Sequence, residues 1–130
     1  MRLARIARRL AVPFFAGCLL LLWLCFGAMR VHREMDTLSE TVPPGSLCIV
    51  DKRAGSARVG DAVFVELEAG GILLSRVERE TDDGLVLRND NDSSRWPDSR
   101  TLGPIPRRAL LGTVRAVFPP DADEMPRDGK

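Results

Sequence analysis

Asp61–Arg88 reads DAVFVELEAGGILLSRVERETDDGLVLR, and this stretch decides the fold class. Asp61 to Glu68 alternates around Val63, Val65 and Leu67, the two-residue period of a strand with one buried face. Ala69-Gly70-Gly71 carries the residues of a hairpin turn and Ile72 to Arg79 forms the returning strand. Asp82-Asp83-Gly84 then turns into Leu85 to Arg88. Three strands joined by two tight turns predict an antiparallel sheet.

Working outward, Gly112 to Phe118 supplies a last strand and Leu47 to Val50 a first one, entered through the stiff turn Pro43-Pro44-Gly45. Gly55 to Gly60 reads as a loop, and Asn89 to Pro106 as a long polar loop rich in Asn, Asp, Ser and Pro. Five short strands and no soluble helix predict a small all-β domain over residues 30–118. Residues 119–130, PPDADEMPRDGK, hold three prolines and no periodic apolar pattern, and a disordered tail is expected there.

The other end of the chain is of a different kind. Residues 1–9 carry Arg2, Arg5, Arg8 and Arg9, and Leu10 to Met29 is a run without a charge, LAVPFFAGCLLLLWLCFGAM. As a helix it would reach about 30 Å, the thickness of a bilayer's hydrocarbon core. A transmembrane helix over 10–29 is expected, with Pro13 in its first turn, where a missing N–H costs little. Arginine concentrated ahead of the span puts residues 1–9 in the cytoplasm and the β domain outside, on the periplasmic or extracellular face. A cleavable signal peptide fits less well: its apolar region is shorter, and a cut after Ala28 would leave Phe26 where a small residue is needed. A lipidated Cys18 fits less well still, because LLLLWLCF follows it in place of a polar tether.

With 45% hydrophobic and 28% charged residues and a formal net charge of +1, composition is that of a globular protein, but residues 1–30 hold five Arg and no acid. Basic charge beside the apolar run, with an acidic excess elsewhere, excludes a nucleic-acid-binding profile. Cys18, Cys25 and Cys48 form no disulfide framework and no zinc spacing.

Between the span and the first strand lies Asp36–Lys52, DTLSETVPPGSLCIVDK, which presents Thr37, Ser39 and Thr41 just outside the bilayer. A hydroxyl is a weak nucleophile near neutral pH and needs a partner to take its proton. The chain has two lysines, Lys52 and Lys130, and one histidine, His32, in the short polar neck Val31–Glu34. None of these is placed by the sequence beside a hydroxyl.

The ordered set of pieces resembles the signal peptidase I family of membrane-anchored serine endopeptidases. Thr41-Val42-Pro43-Pro44-Gly45 with Leu47 to Lys52 is similar to the second half of that family's nucleophile motif and its strand. Gly60-Asp61-Ala62-Val63 corresponds to the next strand, Ser75-Arg76-Val77 falls where Lys-Arg-Val is expected, and Asp90-Asn91 with Asp98-Ser99-Arg100-Thr101-Leu102-Gly103-Pro104 is similar to the final box. The resemblance covers about residues 10–118 and implies a signal-peptidase-like β domain behind one membrane helix. It implies Thr37 at the position of the nucleophilic serine, Ser75 at that of the general-base lysine, and Leu38, Thr41 and Gly45 beside the substrate. Asp98, Ser99, Arg100 and Gly103 would form a structural box, Asp98 and Arg100 as an ion pair within the loop. No cofactor or metal is implied.

The departures fall on the chemistry. Thr replaces Ser at 37, Ser replaces Lys at 75, Glu40 stands at a proline position, and Trp96 replaces a serine that helps hold the lysine. Ser39 is a displaced nucleophile candidate, with His32, Asp36 or Glu40 as its base. Three functions are therefore expected in competition. One is a catalytically silent relative that binds an extended polypeptide, or a membrane-protein partner, at the outer face of the bilayer. The second is a divergent endopeptidase processing exported proteins, and the third an unrelated membrane-tethered β domain.

Overall fold

The computed structural model describes residues 2–53 and 55–121. A long apolar helix, α1 (Arg2–Cys25), is followed by the strands β1 (Phe26–Arg30), β2 (Leu47–Asp51), β3 (Ala62–Glu66), β4 (Ile72–Thr81) and β5 (Gly84–Arg88). A short helix α2 (Ser99–Leu102), a 3-10 turn at Arg107–Ala109 and β6 (Leu110–Phe118) complete the chain. The strands form one six-stranded antiparallel sheet in the order β1-β2-β6-β3-β4-β5. The domain is thus mostly β, with one helix long and apolar enough to cross a membrane.

Strand ends shift by one or two residues, and the apolar run departs further from expectation by supplying a sixth strand where five were expected. The helix stops at Cys25 rather than at residue 29, and Phe26–Arg30 is an edge strand paired with β2 from Phe26↔Asp51 to Arg30↔Leu47. The Lys52 N–H donates to the Cys25 carbonyl at 2.7 Å, closing the helix end onto the sheet. Apolarity alone does not separate a membrane turn from a strand, because both bury apolar side chains; the β2 ladder decides it. The helix also starts at Arg2, so Pro13 lies inside it rather than in its first turn. The polar loop 89–106 contains α2, whose N-cap Asp98 accepts from the Arg100 N–H. Of the tail expected at 119–130, residues 122–130 lie outside the described residues.

Val63 and Val65 of β3 join Leu73 and Val77 of β4, Leu85 and Leu87 of β5, Ile105 and Leu110 in one core cluster. On the other face of the same strands, Phe64 and Leu74 join Val31, Met35, Leu38, Val42, Cys48 and Val50 in a second. β3 was expected to bury one face; it buries both, because the segment between β1 and β2 folds back over the second. Burial also pushes the Cys48 thiol up to about 11, so this cysteine packs as an apolar residue.

At the end of β2, Asp51 is 1% exposed and accepts from Arg53 Nε at 2.9 Å and Arg53 Nη2 at 2.6 Å. The Arg53 hydrogen bonds outweigh burial and lower its pKa from 3.8 to about 2. The folded pKa lies below the unfolded one, so Asp51 contributes its stability above the unfolded value and loses it as pH falls through the folded one. Asp51→Asn should therefore be less stable than the parent at pH 7, and urea titrations should show the gap closing between pH 3.8 and about 2.

Gly84 opens β5 at φ 137°, and a Cβ there would stand 2.1 Å from the Ile105 carbonyl oxygen, whose partner is the Leu85 N–H. Gly84→Ala combines a strained backbone with a backbone clash. Its melting midpoint, followed by circular dichroism of the detergent-solubilised chain, should drop by on the order of 10 °C or more.

Candidate functional site

β4 runs past β5 only from Arg76 onward, where Arg76 pairs with Arg88. Leu74, earlier in β4, has no partner on β5, and buried backbone polar groups need one. The chain leaving β1 supplies it: the Leu74 N–H donates to Met35 Sδ at 3.3 Å, and the Thr37 hydroxyl donates to the Leu74 carbonyl at 2.5 Å. A turn follows in which the Thr41 and Val42 N–H groups both donate to the Leu38 carbonyl. Pro43 to Ser46 then closes a tight turn with Gly45 at φ 82°, delivering the chain to β2.

Thr37 thus lies against Leu74, the residue next to Ser75, but the fold joins the Thr37 and Ser75 hydroxyls by no hydrogen bond. It does not make a nucleophile and base of them. Both side chains are 0% exposed. The Ser75 hydroxyl donates to Asn89 Oδ1 at 2.7 Å, and Asn89 Nδ2 donates onward to the Trp96 carbonyl at 2.8 Å. Together they make a closed relay, Ser75 to Asn89 to Trp96. Each hydroxyl has spent its proton on an acceptor that cannot act as a base at neutral pH: a peptide carbonyl for Thr37, a carboxamide oxygen for Ser75.

The other candidate bases are elsewhere. Asp36 accepts from the Ser94 hydroxyl at 2.6 Å, and His32 Nδ1 accepts from the Glu34 N–H at 3.2 Å. Lys52 lies over Trp23 of α1, its Nζ 5.6 Å from the ring centroid, and Lys130 is outside the described residues. Ser39 is half-buried in the turn after Thr37, and among the described residues no base is hydrogen-bonded to it. Leu38 is fully buried in the second core cluster, so it does not line an open substrate site.

The late box is built around Asp98. Its carboxylate accepts from the Asn89 N–H, the Arg100 N–H and the Arg100 guanidinium, with Arg100 Nη2 at 2.9 Å. Burial pushes its pKa up, but these hydrogen bonds together outweigh burial and hold it below the usual carboxylate range. Ser99 Oγ accepts from the Leu87 N–H at 2.8 Å, and the Leu85–Ile105 bridge lies alongside, so much of the outer edge of β5 is already occupied.

Two features escaped the sequence reading. Asn89 was the first residue of a loop there, yet Leu85, Leu87 and Asn89 share one face by strand period, and a polar residue in line with two core leucines signals a buried partner. The second is Arg76, which bonds the Asp90 carboxylate at 2.9 Å, the Gly60 carbonyl at 2.8 Å and Thr41 Oγ1 at 2.9 Å. It ties the turn after Thr37 to the loops before β3 and after β5. No protein-family model matches the chain, and no curated protein matches it.

Asn89→Leu removes the acceptor of Ser75 and the donor to the Trp96 carbonyl at one stroke. A loss of about 2–4 kcal/mol is expected for two buried groups left unpaired. Ser75→Ala leaves one amide oxygen short of a donor and should cost about 1–2 kcal/mol. Urea unfolding of the two variants and of the double variant measures this; the double should cost less than the sum of the singles.

Proposed function

We propose that the chain is a membrane-anchored, signal-peptidase-like domain that binds an extended polypeptide segment at the outer face of the bilayer and does not cleave it. The observation that carries the silent half of this reading is the burial of Thr37 and Ser75, each bonded to a neutral acceptor. A Ser/Lys-type mechanism needs a hydroxyl open to substrate and a neutral amine beside it. A polypeptide carbonyl could reach neither hydroxyl without unpicking the core.

The binding half is supported by an open edge inside the sheet. β6 pairs with β2 from Thr113 to Phe118, but with β3 only between Leu110 and Thr113. From Val114 on, the edge of β6 that faces away from β2 has no strand beside it among the described residues. Across from it stand Thr41, Val42, Gly60, Asp61, Ala62 and Arg76, leaving a cleft of about 300 Å³. Unpaired strand edges take extended segments through backbone hydrogen bonds, with side-chain pockets setting preference. That mode of binding needs no nucleophile. Anchoring through α1, with the arginines of its first turns in the cytoplasm, would hold the cleft near the outer leaflet, where emerging or exported chains pass.

The test uses the full chain in detergent with a fluorescent peptide spanning a signal-peptide junction. Saturable binding is expected, with the peptide intact by mass spectrometry after prolonged incubation. Thr41→Trp, at the exposed lip of the cleft, should weaken binding by about tenfold or more while lowering the melting midpoint by only a few degrees, the effect of losing the hydrogen bond from Arg76. Cleavage that disappears in Thr37→Ala or Ser39→Ala would sink the silent reading in favour of an endopeptidase. Undiminished binding by Thr41→Trp would remove the cleft as the site.

A further inference from the structure

The outer end of α1 is tied to the sheet in a way that a simple tether does not require. No residue separates Cys25 at the helix end from Phe26 at the start of β1, and the residue after β2, Lys52, donates its N–H to the Cys25 carbonyl. The Lys52 side chain does not extend outward from the sheet. Its stem crosses Gly27, where a Cβ would come within 3.2 Å of Lys52 Cδ, and its ammonium lies 5.6 Å from the Trp23 ring centroid. It therefore runs back along the membrane helix, in the direction of the bilayer.

The depth at which this happens can be bounded. From Leu10 to Cys25 the helix is uncharged, sixteen residues or about 24 Å at the rise of an α-helix, against roughly 30 Å of hydrocarbon. A span shorter than the hydrocarbon is accommodated by local thinning of the bilayer and by snorkelling of flanking side chains, and both bring the outer headgroups to the Lys52 ammonium. Tryptophan and a snorkelling lysine are the pair that such an interface favours. Arg53, 64% exposed, stands next in the chain, and Arg115 lies 3.9 Å from the carboxylate that Arg53 holds. The single acid of this cluster, Asp51, is buried and already neutralised by these arginines. Among the described residues no carboxylate pairs with the Lys52 ammonium, and the positive charge faces outward unopposed.

We propose that Trp23, Lys52 and Arg53 form a binding site for the phosphate of an anionic glycerophospholipid in the outer leaflet, which fixes the height and tilt of the β domain on the membrane. The lysine supplies the charge, the arginine a donor fork not fully used by Asp51, and the indole the apolar floor against the glycerol backbone. This rests on the reading that α1 spans the bilayer. A membrane whose anionic lipid content changes would then reposition the cleft beside β6 relative to chains leaving the surface.

The chain has two tryptophans, so Trp96→Phe, which leaves Trp23 as the reporter, is the background for every variant below. The full chain is reconstituted into phosphatidylcholine vesicles containing either brominated phosphatidylglycerol or brominated phosphatidylcholine, and quenching of tryptophan fluorescence gives the relative affinity of the two lipids around Trp23. The cluster Arg2 to Arg9 lies at the other end of the helix, about 20 Å away, and does not enter the reading. Phosphatidylglycerol should be preferred by on the order of fivefold or more. Lys52→Gln should bring the preference near unity and Lys52→Arg should keep it. Gly27→Val, which retains every charge but displaces the lysine stem, should reduce it. Equal quenching by both lipids in the parent, a preference unchanged in Lys52→Gln, or a preference abolished by millimolar inorganic phosphate in the medium would each overturn the lipid site. A chain in which neither lipid quenches Trp23 would overturn the membrane anchor with it, an outcome distinct from equal quenching.

Discussion

A buried strand edge must have its backbone groups satisfied, and in this molecule that requirement falls on Leu74. Its neighbour strand β5 begins pairing two residues later, at Arg76, so the Leu74 N–H and carbonyl would face the interior unpaired. Met35 and Thr37 answer with a thioether and a hydroxyl, and so pin the chain between β1 and β2 across the second face of the sheet. Val31, Leu38 and Val42 then cover Phe64 and Leu74 there. Arg76 holds the far end of the same segment through Thr41. The segment that carries the hydroxyls is thus a structural strap, and the strap is why β3 and β4 can be apolar on both faces.

The same constraint explains why the hydroxyl chemistry is closed. Thr37 can complete the Leu74 carbonyl only with its side chain turned inward, and a hydroxyl committed to a buried carbonyl is not presented to a substrate. Ser75, on the opposite face of β4, is enclosed by Asn89 and by the backbone of Trp96. A lysine in this position would bring a charge into a site that now contains only neutral partners, with no acid within the relay. Trp96 also packs against both core clusters and donates its indole N–H to the Glu34 carbonyl, filling the space between the two faces. Among the described residues the run of β6 beside the cleft has no strand on its second edge, and its backbone geometry is independent of these two hydroxyls.

The apolar helix passes into β1 without a linker, and the Lys52 N–H closes the junction on the Cys25 carbonyl. The open edge of β6 lies two strands from the end of the helix, since β2 alone lies between β1 and β6.

Local elements are legible in the order of residues: turn residues at Ala69-Gly70-Gly71 and Asp82-Asp83-Gly84 set two hairpin connections, and a charge-free run marks one membrane-length segment. These are properties of neighbouring residues, legible because turns and hydropathy act over a few positions. Where that segment stops being helix is set by long-range pairing, since Phe26–Arg30 is a strand because β2 lies beside it. Tertiary contacts likewise decide that β3 is buried on both faces and that Thr37 and Ser75 are internal donors rather than an exposed pair. Those outcomes depend on partners 14 to 37 residues away in the chain, Asn89 for Ser75 and Leu74 for Thr37. The residue types at those positions are compatible with either role, and burial chose between them.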